Sequence, residues 1–226
     1  MASVADSDEP FVHLQDVALQ YGPFRPVLRG ITLAIRRGEF VLVAGGSGTG
    51  KSSLLRLVAT LQRPSQGEVI VGGARTERLR GTALAALRRS LGIVTQLPLL
   101  LPDCTVLQNV MLPALVSGLA PTEARARAHA ALARLQLTCG EALASQLSVG
   151  QQQLACLARA IVNQPALLVV DEPTAHLDVE STQRVLQLLE QFAVAGVAVL
   201  MASQGNVQCL PARARRLVLR DGQLYE

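Results

Sequence analysis

The sequence predicts an α/β fold in which a strand-rich core is interrupted by a helical lobe. Three observations carry this. Short apolar runs of the kind that form covered strands recur along the chain, a glycine cluster followed by a helical stretch separates two of them, and from about residue 97 to 164 the strand signal gives way to alanine- and leucine-rich helical sequence. The chain has 226 residues, half of them hydrophobic and only 17% charged, which suits one domain with a buried core. Residues 1–10, with Asp6, Asp8 and Glu9, form an acidic tail, and 11–226 are expected to be a single domain whose helical subdomain is the stretch at 97–164. No internal repeat or low-complexity linker divides it.

Taken in order, β-like runs occupy residues 12–19, 31–35 and 40–44, and a helix is expected from Lys51 to about Leu61. Further apolar runs bounded by glycine, asparagine or proline fall at 68–71, 92–95, 167–170, 197–202 and 217–219. Several are continuous rather than alternating, as strands covered on both faces require. Within the helical stretch, Thr122 after Pro121 is placed as the cap of a helix over 123–137, and a second helix is expected over 150–162.

Composition removes several function classes. The net charge is only +4, with basic residues scattered or in short pairs, and there are two tyrosines, four phenylalanines and no tryptophan on which bases could stack. Nucleic acid is therefore not an expected partner. The uncharged runs 104–122 and 192–212 are broken by Gln108, Asn109 and Pro113 and by Gln204, Gly205, Asn206 and Gln208, so neither is expected to cross a bilayer. Residues 1–10 lack the cationic start and apolar stretch of a secretion signal, which points to the cytoplasm. Cys104, Cys139, Cys156 and Cys209 show neither CxxC spacing nor a nearby histidine pair and are read as free thiols.

The strongest motif is Gly45-Gly46-Ser47-Gly48-Thr49-Gly50-Lys51-Ser52, which satisfies the P-loop pattern between an apolar strand and a helix. Glycines let the backbone curl around phosphate oxygens with successive N–H groups inward, and the following helix adds its positive end. Lys51 would reach the β and γ phosphates and Ser52 would ligate magnesium. Lys51 is the one lysine of the chain; the other twenty basic residues are arginine. A compact ammonium has been kept where a planar guanidinium fork would not fit. Downstream, residues 166–170 run into Asp171 and Glu172, two acids at the end of a covered strand, where such sheets bind ligands. Asp171 can hold magnesium through water, and Glu172 can orient or deprotonate the water that attacks the γ-phosphate.

With Leu147-Ser148-Val149-Gly150-Gln151-Gln152-Gln153 added, the chain resembles the ATP-binding subunits of ABC transporters, whose LSGGQ signature that segment is similar to. The resemblance spans about residues 11–224 and includes the order of parts: Tyr21, the P-loop, Gln96, the signature, Asp171-Glu172, and Ala175-His176-Leu177-Asp178. It implies a P-loop NTPase (RecA-like) core with an antiparallel β edge and an inserted helical subdomain. It also implies ATP and Mg2+ as cofactors. Tyr21 would stack on adenine; Gly45, Gly46, Ser47, Gly48, Thr49, Gly50, Lys51, Ser52 and Ser53 would bind ATP; and Ser52 and Gln96, with Asp171 through water, would hold the metal. Ser148, Val149, Gly150 and Gln151 would meet ATP held mainly by a second subunit, Asp178 would belong to the dimer loop, and the partners would be a second copy, head to tail, and a permease-like membrane subunit on the cytoplasmic face of the inner membrane.

Pro102 to Pro113, Pro173-Thr174, and the segments 88–94 and 199–203 resemble the subfamily serving lipoprotein release, macrolide export and bacterial cell division, leaning to the cell-division branch. The apolar region 97–116 is a candidate docking surface for the membrane subunit. Three positions depart from the family pattern. Gln204 stands where a switch histidine is usual; it can donate a hydrogen bond but cannot become cationic near neutral pH, so slow hydrolysis with binding preserved is expected. Val149 replaces the middle signature glycine, and Leu154 an arginine. These departures also suit a second reading, a nucleotide-gated assembly protein with negligible turnover. His176 is read as a surface or interface residue rather than a catalyst.

Overall fold

The computed structural model describes residues 9–23, 26–204 and 210–226; Cys209 and positions 1–8 of the tail lie outside the described residues. Strands β1 (Val12–Leu19), β2 (Leu28–Ile35) and β3 (Phe40–Ala44) lead into helix α1 (Lys51–Val58), followed by β4 (Gln66–Val71), β5 (Ala74–Arg75), α2 (Gly81–Arg89) and β6 (Leu91–Val94). Helices α3 (Val106–Val116), α4 (Pro121–Arg134) and α5 (Val149–Ile161) come next. Then follow β7 (Leu167–Asp171), α6 (Val179–Val194), β8 (Ala198–Ser203), β9 (Arg215–Arg220) and β10 (Gln223–Tyr225).

Two sheets result. One is antiparallel, in the order β2-β1-β4-β5; the other runs β10-β9-β3-β8-β7-β6 and is parallel except for β10. The period-2 alternation of strand side chains decides how the core divides. Phe40, Leu42, Leu168, Val170, Val199 and Met201 point to the helices α3 to α6, whereas Val41, Val43, Leu167, Val169, Leu200 and Ala202 point to α1 and the antiparallel sheet. Both faces are covered, which is why these strands are apolar without interruption.

The three helices placed from the sequence have boundaries that differ from the expectation. Helix α1 ends at Val58, short of Leu61, because the chain turns at Thr60 with φ 60, and Arg88 holds both the Thr60 hydroxyl (3.1 Å) and its carbonyl (2.6 Å). Helix α4 is capped by Ala120 with Pro121 inside its first turn, so Thr122 is not the cap; a proline's fixed φ and missing N–H suit that first position. Helix α5 starts at Val149 because Ser148 caps it, and it stops at Ile161. Strands β5 and β10 and helix α2 carried too short or too weak a pattern to be anticipated. Cys104, Cys139 and Cys156 are free, and no helix among the described residues is long and apolar enough to cross a membrane.

Candidate nucleotide-binding site

Strand register assembles the site. In neighbouring parallel strands Ala44 of β3 pairs with Ser203 of β8, Ala202 of β8 with Asp171 of β7, and Val94 of β6 with Val170 of β7. The segments that leave these strands therefore emerge side by side at one edge: Gly45 onward, Gln204, Glu172 and Gln96. Strands lie about 4.8 Å apart, so four separate stretches of sequence converge within a short span. They do so around a cleft of about 210 Å³ lined by Tyr21, Val27, Ser47, Gly48, Gly50, Lys51, Ser52, Ser53, Gln96, Glu172 and Gln204.

The loop from Gly45 to Gly50 is shaped by close approach and by backbone that only glycine adopts freely. A Cβ on Gly45 would lie 2.6 Å from the Leu219 carbonyl oxygen, and Gly50, the residue before α1, has φ 104. Lys51 is buried, and its ammonium donates to the carbonyls of Gly45 and Gly46, both at 2.8 Å. The Thr49 hydroxyl donates to the Gly46 carbonyl at 3.0 Å. The lysine thus closes the loop on itself and places positive charge at the floor of the cleft. Tyr21 is exposed beyond β1 with its hydroxyl 3.3 Å from the Ser53 hydroxyl. Val27 supplies an apolar wall that sequence reasoning missed, since it sits in a loop without motif or period.

Asp171 and Glu172 are adjacent, both buried, and serve different spaces. Glu172 lines the cleft with Lys51 and Gln204; Asp171 lines an adjoining cavity of about 350 Å³ together with Ser52 and Gln96. Strand β7 ends between them: the Glu172 amide donates to the Ala202 carbonyl at 3.0 Å and its φ is 52, a left-handed conformation that costs on the order of 1 kcal/mol in a non-glycine residue. Among the described residues, Asp171 Oδ1 and Glu172 Oε1 have no hydrogen-bond partner. Orphaned buried carboxylate oxygens are costly, and a divalent cation beside Asp171 and a water beside Glu172 would satisfy them. The donor set of Ser52, Gln96 and Asp171 is all oxygen, as magnesium prefers. The residues present fit the metal.

The signature residues lie elsewhere. Ser148 caps α5 in a reciprocal box: its hydroxyl accepts the Gln151 amide (3.3 Å), and its own amide donates to Gln151 Oε1 (3.0 Å). Val149 is half exposed in the first turn. A Cβ on Gly150 would meet the His176 carbonyl at 3.0 Å, so the signature packs tightly against the loop that leads to Asp178. Asp178 caps α6 and accepts the Ser181 amide (2.8 Å) and hydroxyl (2.9 Å); these bonds, the backbone one foremost, hold its carboxyl below the usual range. Leu154, in place of an arginine, is buried in the core of the helical lobe, and His176 is exposed. None of residues 148–151 lines the cleft around Lys51.

Gln204 is exposed, follows β8 and lines the cleft beside Glu172. Gln204→His should raise phosphate release about tenfold near pH 7, through a donor that can also become cationic, and leave ATP affinity little changed. Steady-state phosphate release measured from pH 6 to 9 checks this; a flat or lower profile would remove Gln204 as the slow element.

Residues 28–175 match the profile of the family described as ABC transporter. The chain is 38% identical over 216 residues to the cell division ATP-binding protein FtsE of Escherichia coli strain K12, covering 95% of this chain and 97% of that protein. It is 40% identical over 227 residues to the macrolide export ATP-binding/permease protein MacB of Marinobacter nauticus, covering 97% of this chain and 35% of that protein. Among solved structures, the dimeric post-hydrolysis state of the ATP-binding cassette MJ0796 bound to ADP and Pi superposes with a TM-score of 0.86 at 31% identity, over 95% of this chain and 97% of that one.

Proposed function

This chain belongs to the ABC transporter family as an ATP-binding subunit with ATPase activity, and from that premise we propose that two copies close head to tail around two ATP molecules to move a membrane partner. One observation carries the reading. The cleft around Lys51 and the cavity adjoining it bring together P-loop residues, Gln96, Asp171, Glu172 and Gln204, while Ser148 sits at the capped amino terminus of a 13-residue helix outside that cleft. Such a helix end attracts anions. A second copy would bring its Ser148 and Gly150 to the γ-phosphate and complete the site.

Within one cleft, Lys51 and the loop amides bind the β and γ phosphates, Tyr21 and Val27 face the base side, and Gln96 and Gln204 approach the γ-phosphate. Glu172 orients the attacking water and takes its proton. Magnesium, held by Ser52, Gln96 and Asp171, the last through water, would neutralise charge on the phosphate oxygens. Closed and open dimers differ in affinity for ATP, and that difference is what can do work on a partner.

The proposed partner is a permease-like subunit, with this chain peripheral on the cytoplasmic face of the inner membrane, in a complex of the cell-division or export type that the relatives' names describe. A groove of about 540 Å³ between α2, α3 and α5, lined by Leu84, Arg88, Leu112, Pro113 and Val116, also includes Arg159, which bonds the carbonyl of the exposed Leu99, and would seat one of the partner's cytoplasmic helices. The exposed Val149 and the glutamine at 204 favour slow turnover, and in the limit a nucleotide-gated assembly protein.

Sedimentation tests the dimer. Glu172→Gln protein should double in mass with Mg-ATP, and adding Ser148→Arg should keep it monomeric. Leu112→Asp and Val116→Asp should abolish co-purification with the permease-like subunit without affecting ATP-driven dimerisation. A Glu172→Gln protein that stays monomeric with both ATP and the membrane subunit present would refute the composite site.

A further inference from the structure

Gln96 sits in the connection between β6 and α3, residues 95–105, which passes from the sheet to the helical lobe. Within the connection the Thr95 hydroxyl donates to the Leu97 carbonyl at 2.8 Å. On the lobe side Asn109 of α3, fully buried, accepts the Leu101 amide at 2.7 Å and donates to the carbonyls of Leu101 and Thr105, both at 3.0 Å. Between them lies a bond across 60 residues of sequence: Arg159 of α5 donates from Nη1 to the Leu99 carbonyl at 2.6 Å. The same guanidinium lies 3.9 Å from the Cys156 sulfur.

We propose that Arg159 is a positioning residue for Gln96, tying the magnesium-side loop of one subunit to the helix whose amino terminus carries Ser148. The argument is one of chain length. From Gln96 to Leu99 is three residues, a tether of about 10 Å at full extension. Cys156 of α5 also meets the Leu99 backbone, but a thiol is a weak hydrogen-bonding partner, so without the Arg159 bond the first firmly held point is Leu101, five residues away, and the tether grows to about 17 Å. The short tether limits how far Gln96 can lag behind a displacement of α5, and the long one relaxes that limit. Helix α5 is a rigid lever on which Arg159 stands eleven residues, about 16 Å, beyond Ser148. A shift at the signature end is thereby delivered to Gln96, and a catalytic group misplaced by about 1 Å can lose a large share of its rate contribution. Arg159 also lines the groove between α2, α3 and α5, so whatever seats there rests against the same side chain.

This inference rests on the reading of Gln96 as a contact to magnesium and the γ-phosphate, and a double-mutant cycle separates the two. Arg159→Met should lower kcat about tenfold and raise the Mg2+ concentration needed for half-maximal turnover, with ATP affinity by calorimetry unchanged. Arg159→Lys, which keeps one donor, should fall between. In a Gln96→Ala background Arg159→Met should cause no further loss. The same fold loss in both backgrounds, or a wild-type kcat and Mg2+ requirement for Arg159→Met, overturns the tether. If Arg159→Met does not fold, the Arg159→Lys cycle is judged by the same criteria. A Gln96→Ala variant with unaltered kcat refutes the reading of Gln96 itself, and the tether with it.

Discussion

Glu172→Gln is expected to slow ATP turnover about a thousandfold while ATP still binds. The substitution is nearly isosteric, keeps an oxygen that can accept a hydrogen bond from water, and removes only basicity and charge. Glu172 Oε1 is buried, has no partner among the described residues and belongs to a side chain that lines the cleft with Lys51 and Gln204. Its backbone at φ 52 turns the chain at the end of β7, so the carboxylate reaches the cleft while Asp171 serves the neighbouring cavity. A group held in that way is suited to placing a water, and general-base assistance contributes roughly 100- to 10,000-fold. Single-turnover phosphate release with calorimetric ATP binding on the same material gives both readings. A variant that retains more than about a tenth of the wild-type rate would show that the base lies elsewhere.

Lys51→Ala is expected to weaken ATP binding by about a hundredfold or more, near 3 kcal/mol. Two effects combine. The cleft loses the positive charge at its floor, and the carbonyls of Gly45 and Gly46 lose the donor that closes the loop. Arginine should not restore binding, because the lysine is buried and a planar fork needs more room than the loop leaves. Thermal unfolding with and without Mg-ATP provides the measurement: at a nucleotide concentration about a hundredfold above the wild-type Kd, wild-type protein should gain several degrees and Lys51→Ala only a small fraction of that. An equal gain in both proteins would detach ATP binding from the P-loop.

Much of the fold could be read from residues close together in sequence. Continuous apolar strands betray a sheet covered on both faces, and residues 40–44 and 167–170 carried that signal without ambiguity. The P-loop was legible because its chemistry is contiguous: eight residues contain the turn, the cradle and the lysine. The misread boundaries have one distant cause and one adjacent one. Helix α1 stops where it does because Arg88 grips Thr60, 28 residues away, and nothing in residues 51–61 reveals that grip. Thr122 satisfied a capping preference, yet Pro121 took the first helical turn.

By itself, then, the sequence determined the α/β class, the phosphate loop, the acid pair and the family to which their order belongs. Tertiary structure alone decided that Asp171 and Glu172 face different spaces, that Val27 walls the cleft, that Ser148 stands outside it, and that Arg159 holds the loop of Gln96. The physical reason is that helix and strand period, turn chemistry and contiguous motifs are set by neighbouring residues. Which segments meet is set by strand order and register, and these emerge only when both faces of the sheet are packed.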